Sequence, residues 1–203
     1  KVSGLLRTMA IAAAFGVGVT VEAYNYAYNI PAFLFILLGG INGPFHSAIV
    51  SSISKQKNQS DIAPLVETMT TMVGGILLIV TMLLILFAGN LIDLAAPGLT
   101  HATSEAAMAR GLAVRASAIE QLQIMSFMAV LSGFIGIGFG TLNAADMYWL
   151  PAISPILSNI TTIVGLSIAV LQIGSKISLP EYAIAGGKLL AWTTLIGAIL
   201  QWL

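Results

Sequence analysis

The 203-residue chain contains no cysteine. That excludes disulfides and thiolate metal sites and leaves the redox compartment open. Charge is nearly as scarce. Asp, Glu, Lys and Arg make up 8% of the residues, where a soluble domain carries about 25%. So few solvating groups cannot cover an aqueous surface. Lys plus Arg number 8 and Asp plus Glu number 8, so the formal net charge is zero, which argues against nucleic acid as a partner. The usual chemical motifs are missing too. There is no phosphate-binding loop, no nucleophile elbow and no carboxylate pair with room for a water between them. His46 and His101 lack zinc-ligand spacing. No catalytic residue, metal site or cofactor is expected.

Apolar residues are what the chain has in abundance. They make up 58% of it, with a mean hydropathy of +0.96. An all-α polytopic membrane protein follows. Residues 68–92, 121–145 and 147–175 carry no charge. Each can supply the roughly 20 apolar residues that span a bilayer. Six helical segments are predicted, at about 1–16, 20–54, 62–88, 113–142, 153–173 and 183–203. The second would be about 50 Å long if straight, too long for one crossing. It is expected to kink at Pro31 and at GGINGP, residues 39–44, which makes Pro31, Gly39, Gly40 and Gly43 candidate hinges. Ser104 and Glu105 read as the start of a short helix inside the long connection after segment 3. Gly133, Gly136, Gly138 and Gly140 suggest close helix packing. Lys1 and Leu203 both lie in apolar runs, and no signal-peptide pattern opens the chain. Both ends read as cut from a larger protein, with the first helix truncated.

Two charges fall inside predicted membrane helices. Arg7 lies in the first segment and Glu22 in the second, with FGVGV between them. A charge in lipid costs several kcal/mol unless it faces water, a ligand or a counter-charge. The planar fork of Arg7 suits phosphate or carboxylate; the alternative is a snorkelling interfacial arginine. Lys1 falls about 120° round the same helix and could line the same cavity. Glu22 either pairs with Arg7 or binds a cation. Glu22, Asn25, Tyr26 and Asn29 share one helix face, which should front a cavity or a neighbouring helix. Glu67 and Glu120 read as acids near helix starts, Lys188 as a snorkelling residue and His46 as a packing histidine. Lys55 and Lys57 favour a cytoplasmic 55–61 loop, but Arg110 and Lys176 keep charge alone from fixing orientation.

Several motifs together resemble the MviN/MurJ family of lipid II flippases, within the multidrug/oligosaccharidyl-lipid/polysaccharide exporter superfamily. They are GLLR at 4–7 with AxxFG at 12–16, Glu22 followed by an aromatic-rich run to Pro31, LAAPGL at 94–99, LQIM at 122–125 and LNAADMYWLPAISPILSN at 142–159. The resemblance covers essentially the whole chain. It implies the N-terminal lobe of a fourteen-helix, two-lobe transporter in the bacterial cytoplasmic membrane, with a cytoplasmic amino terminus. The implied function is translocation of undecaprenyl-pyrophosphate-linked peptidoglycan precursor by alternating access. The implied partners are that lipid-linked pyrophosphate sugar, membrane lipid and the missing C-terminal lobe. Arg7 and Lys1 match basic residues of helix 1, the former implied to engage the pyrophosphate. Glu22 stands where the family usually has aspartate. Phe35, Ile36 and Gly40 stand where the family commonly has a basic pair and an acid. Those departures keep two other readings open: an exporter of another lipid-linked glycan or drug, and a non-transporting membrane scaffold of the same fold.

Overall fold

The computed structural model describes residues 2–16, 18–39, 44–56, 58–101, 104–174 and 182–203. Lys1, Gly40 and Gly43 lie outside these residues. Among the described residues the regular structure is helical throughout. The helices are α1 (Val2–Phe15), α2 (Val19–Gly39), α3 (Pro44–Ser54), α4 (Ile62–Leu86), α5 (Ala88–Ala95), α6 (Glu105–Met125), α7 (Met128–Ala144), α8 (Trp149–Ile173) and α9 (Ala183–Trp202). By length and composition, five stretches can cross a membrane: 19–54, 62–86, 105–144, 149–172 and 183–202.

Two expected segment starts differ. Segment 4 begins at Glu105 rather than 113. Ser104 caps it, its hydroxyl accepting from the Ala107 amide at 3.3 Å. The cap was legible, but no breaker follows it, so the supposed short helix runs straight on into the span. The connection before it is itself partly helical, as α5. Segment 5 begins at Trp149 rather than 153, because Pro151 falls in the first turn, where a missing amide costs nothing. Pro31 lies inside α2, fully buried, and the helix continues through it to Gly39.

α6 and α7 meet at a turn formed by Ser126 and Phe127. There the Ser126 hydroxyl donates to the Leu122 carbonyl at 2.7 Å, and the Ser126 carbonyl accepts from Thr81 of α4 at 3.3 Å. The break is thus satisfied from a neighbouring helix, as a bilayer interior requires.

The bundle is built around α2, α6, α7 and α9. α1 packs on α8, α8 on α9, and α3 and α4 on α7. Since lipid is as apolar as leucine, close approach rather than water exclusion holds such helices together. Three of the four glycines expected to pack do so. A Cβ at Gly136 would press into the Leu38 carbonyl of α2, one at Gly140 would stand 2.6 Å from Ile49 of α3, and one at Gly133 would overlap Leu77 and Val73 of α4. At Gly138 a Cβ would meet nothing within 4 Å. Outward, α8 shows Ile153, Ile156, Ile160, Val164, Ile168 and Leu171, all exposed and spaced as one helical stripe.

Candidate functional site

Arg7 stands near the middle of α1, half-buried. An antiparallel helix pair aligns residues equidistant from its turn. With α1 ending at Phe15 and α2 beginning at Val19, the level of Arg7 is met in α2 by Tyr24 and Tyr28 rather than by Glu22. The two tyrosines are one turn apart and stack, with ring centroids 5.2 Å apart and planes at 15°. The Arg7 guanidinium donates to the Tyr24 hydroxyl and, at 3.5 Å, to the Tyr28 hydroxyl. Its central carbon lies 5.0 Å from the Tyr28 ring centroid, a cation–π distance. Thr194, mid-way along α9, donates to the Leu190 carbonyl at 2.8 Å, leaving its oxygen to accept from Tyr24 at 3.2 Å. A relay therefore runs Arg7, Tyr24, Thr194, Leu190, and it fixes the fork in one orientation.

The relay leaves the charge unneutralised. Among the described residues Arg7 has no carboxylate partner, and its buried Nε has no hydrogen-bond acceptor. The guanidinium lines a cavity of about 310 Å³ walled by α1, α2, α7, α8 and α9, with Phe35, Ser158, Asn159, Thr194 and Gln201 around it. Asn159 donates to the Ser3 hydroxyl at 3.0 Å, tying α8 to α1 at the cavity wall. The chamber can receive an anion: a fixed fork with unused donors, hydroxyl and amide groups nearby, and apolar walls.

The expected Arg7–Glu22 pair is absent. Glu22 instead accepts from Arg110 of α6 at 2.8 Å. The reason is depth: Glu22 sits in the first turn of α2, beside the turn, while Arg7 lies several turns away from it. Asn25 and Asn29 are exposed and point away from the chamber, off the face that buries Ala23, Tyr24, Ala27 and Pro31. Gly39 packs on α7, where a Cβ would stand 3.1 Å from the Ser132 carbonyl. His46 is buried against Asn143, 2.9 Å away. Glu67 is exposed. Glu120 is not near a helix start, since α6 begins at Glu105, and Lys188 does not merely snorkel: the two pair at 3.2 Å.

Three ion pairs gather at the end of the bundle where α2 and α9 begin: Glu22–Arg110, Asp93–Arg115 and Glu120–Lys188. All three use α6. In the second, Arg115 grips Asp93 of α5 through two hydrogen bonds of 2.5 and 2.7 Å. That grip holds the Asp93 carboxyl below the ordinary carboxylate value. The sequence reading missed these pairs along with Tyr24, Tyr28 and Thr194. For Tyr24 and Tyr28 the signal was their depth matched to Arg7 across the α1–α2 connection; the pairs between helices distant in sequence had none.

The fold and the chamber define a multi-pass membrane protein with an unneutralised cation inside its helix bundle. Comparison with known proteins gives the family. The family model described as "Lipid II flippase MurJ" matches residues 11–203, and the chain belongs to that family. It is 60% identical, over 203 residues, to a probable lipid II flippase MurJ of Synechocystis; the match covers 100% of this chain and 36% of the relative. It is 29% identical over 206 residues to the lipid II flippase MurJ of Burkholderia cenocepacia, again covering 100% of this chain and 36% of that protein. A probable lipid II flippase MurJ of Thermotoga maritima is 26% identical over 165 residues, 81% of this chain and 32% of the relative. The chain thus spans about a third of the length of these relatives.

Proposed function

We propose that the chain is the N-terminal lobe of a lipid II flippase in the bacterial cytoplasmic membrane, and that it receives the diphosphate of the undecaprenyl-linked peptidoglycan precursor. The observation that carries this reading is the unneutralised Arg7. A guanidinium in a membrane bundle, with a buried Nε lacking an acceptor, is costly unless a ligand completes it. Its fork matches phosphate oxygens two at a time, and the tyrosine relay holds it aligned before the ligand arrives. Lys1, six positions before Arg7 in the sequence, adds a second positive charge. Asn25 and Asn29, on the exposed face of α2, front the cavity shared with the rest of the full-length protein. Pro31, Gly39, Gly40 and Gly43 act as hinges in alternating access. Glu22 and Arg110 fasten the end of the bundle where α2 and α6 start. The amino terminus lies on the cytoplasmic side. Transport breaks no bond, so no catalytic group is needed.

A second reading keeps the transport class and changes the cargo. Phe35 lines the chamber where the family commonly has a basic residue. A chamber with less positive charge also suits an exporter of another lipid-linked glycan or of a drug carrying one anionic group.

The test is complementation by the full-length protein in cells depleted of their own flippase. Arg7→Ala is expected to abolish growth and Arg7→Lys to impair it, because a point charge cannot replace the fork. Full complementation by both variants, at normal membrane levels, sinks the diphosphate reading.

A further inference from the structure

His46 is a buried ionisable side chain outside the Arg7 chamber. It sits in the first turn of α3, 8% exposed, with its Nε2 2.9 Å from the side-chain nitrogen of Asn143. Asn143 is the last residue but one of α7, and residues 145–149 beyond it are all exposed. The pair therefore lies where α7 reaches the aqueous edge of the bundle, and protons from solution can reach it.

The contact has a protonation sense. Asn143 donates an amide N–H to Nε2, so Nε2 must be bare and the ring neutral, with its proton on Nδ1. The other end of the amide, Oδ1, is buried and has no hydrogen-bond partner. Protonating Nε2 sets a donor against a donor. Rotating the amide would offer Oδ1 instead, but the imidazolium would remain a buried charge, which is costly without a counter-charge. The neighbouring elements supply none. α7 has no ionisable side chain, and those of α2, Glu22 and three tyrosines, all lie before Pro31. α4 packs against the same cluster and carries Glu67, which is exposed. Asp61, ahead of α4, accepts from Asn58 and Ser60, and Asp146 accepts from Tyr148. Lys55, just past α3, is exposed and would repel a second cation. α3 is also lightly held. Its Ile49 and Ile53 join Ile137 of α7 in a cluster separate from the main core, so α3 can move without unpacking the rest.

We infer that His46 and Asn143 form a proton-operated latch between α3 and α7. With His46 neutral, the amide closes α3 onto α7. Protonation from the solution at that end of the bundle opens the contact and frees α3, while the main core stays packed. Two observations carry this: a hydrogen bond that only a neutral ring can accept, and the lack of any carboxylate placed to pair with the charged one. The inference is independent of the cargo and of Arg7.

The experiment uses the full-length protein in lipid nanodiscs, with any cysteine outside these 203 residues replaced by serine. Nitroxides are attached to cysteines at Ser51 of α3 and at Met147 in the turn after α7, both exposed positions. Their separation is measured by pulsed electron resonance at about pH 8 and about pH 5.5, on either side of the usual imidazole value. A single short distance is expected at the higher pH and a second, longer population at the lower. A control pair at Met72 and Ile160, exposed on α4 and α8, is expected to stay the same. His46→Gln, which cannot be charged, is expected to keep the short distance at both values. Asn143→Asp places a carboxylate against the ring and is expected to keep it near pH 5.5. A distance that does not change with pH overturns the inference. So does an acid response that survives in His46→Gln, which would assign it to Asp61, Glu67 or Asp146. Lengthening of the control pair overturns it too, because acid would then loosen the whole bundle. Where His46→Gln does not fold, Asn143→Asp decides: acid opening as large as in the unsubstituted protein overturns the latch.

Discussion

At the scale of single residues, the chamber depends on hydroxyls more than on charge. Tyr24 accepts from Arg7 and donates to Thr194, so its oxygen joins α1, α2 and α9. Removing it strands a guanidinium donor in a buried place. Tyr24→Phe is expected to destabilise the full-length protein by about 1–3 kcal/mol, read as a lowered midpoint of thermal unfolding in detergent. Thr194→Val, which takes away the acceptor at the other end, should act in the same direction, and the double variant should cost less than the sum of the two. Equal and additive costs would show that the relay does not act as a unit. Arg7 was legible in the sequence because a lone charge in an apolar run is conspicuous. Its partners were not, because tyrosine and threonine are unremarkable in membrane helices. The error at Glu22 came from pairing opposite charges close in sequence without asking at what depth each helix carries them.

Among the elements, α6 is the one that fastens the others. Arg110, Arg115 and Glu120 are spaced five apart, and each step of five turns the helix by about 140°. Successive charges therefore address three different neighbours: α2, α5 and α9. This spacing could be read in the sequence, but its meaning required knowing that the helix starts at Glu105. α7 works by the opposite principle, through absent side chains. Gly136→Ala would drive a methyl into the backbone of α2 and is expected to cost about 1–3 kcal/mol or more. Gly138→Ala should be neutral or stabilising by up to about 1 kcal/mol, from helix propensity alone. Thermal unfolding of the pair measures the difference; similar effects at both positions would contradict the packing described for α7. The glycine pattern was legible as a packing motif. Which glycine is left open was not, because that depends on where the next helix lies.

At the scale of the whole chain, the lack of cysteine in these 203 residues is an experimental convenience. A single cysteine placed at Lys55 or Asp146 should be labelled by a membrane-impermeant maleimide from one side of the membrane only. One placed at Ala106 should be labelled only from the other. The alternation of the five spans and the hairpin of α1 with α2 require it. Labelling of all three from one side would break the topology. The architecture was readable in the sequence because apolar length is a strong signal and turns between spans are polar. The exact span ends were not, since α5 and the start of α6 are helical without being part of the lipid crossing that hydropathy detects.

The ion pairs crowd one end of the bundle, and their side chains are between 31% and 59% exposed. Exposed pairs weaken as the Debye length shrinks, to about 3 Å at 1 M salt. The opposite end carries the glycine contacts of α7 and a buried histidine–asparagine pair, which screening does not reach. Ionic strength is therefore a one-sided control. In sealed vesicles, salt added in the compartment facing the ion pairs is expected to loosen that end of the bundle, read as faster proteolysis there, while the same salt in the other compartment is expected to leave it as it was.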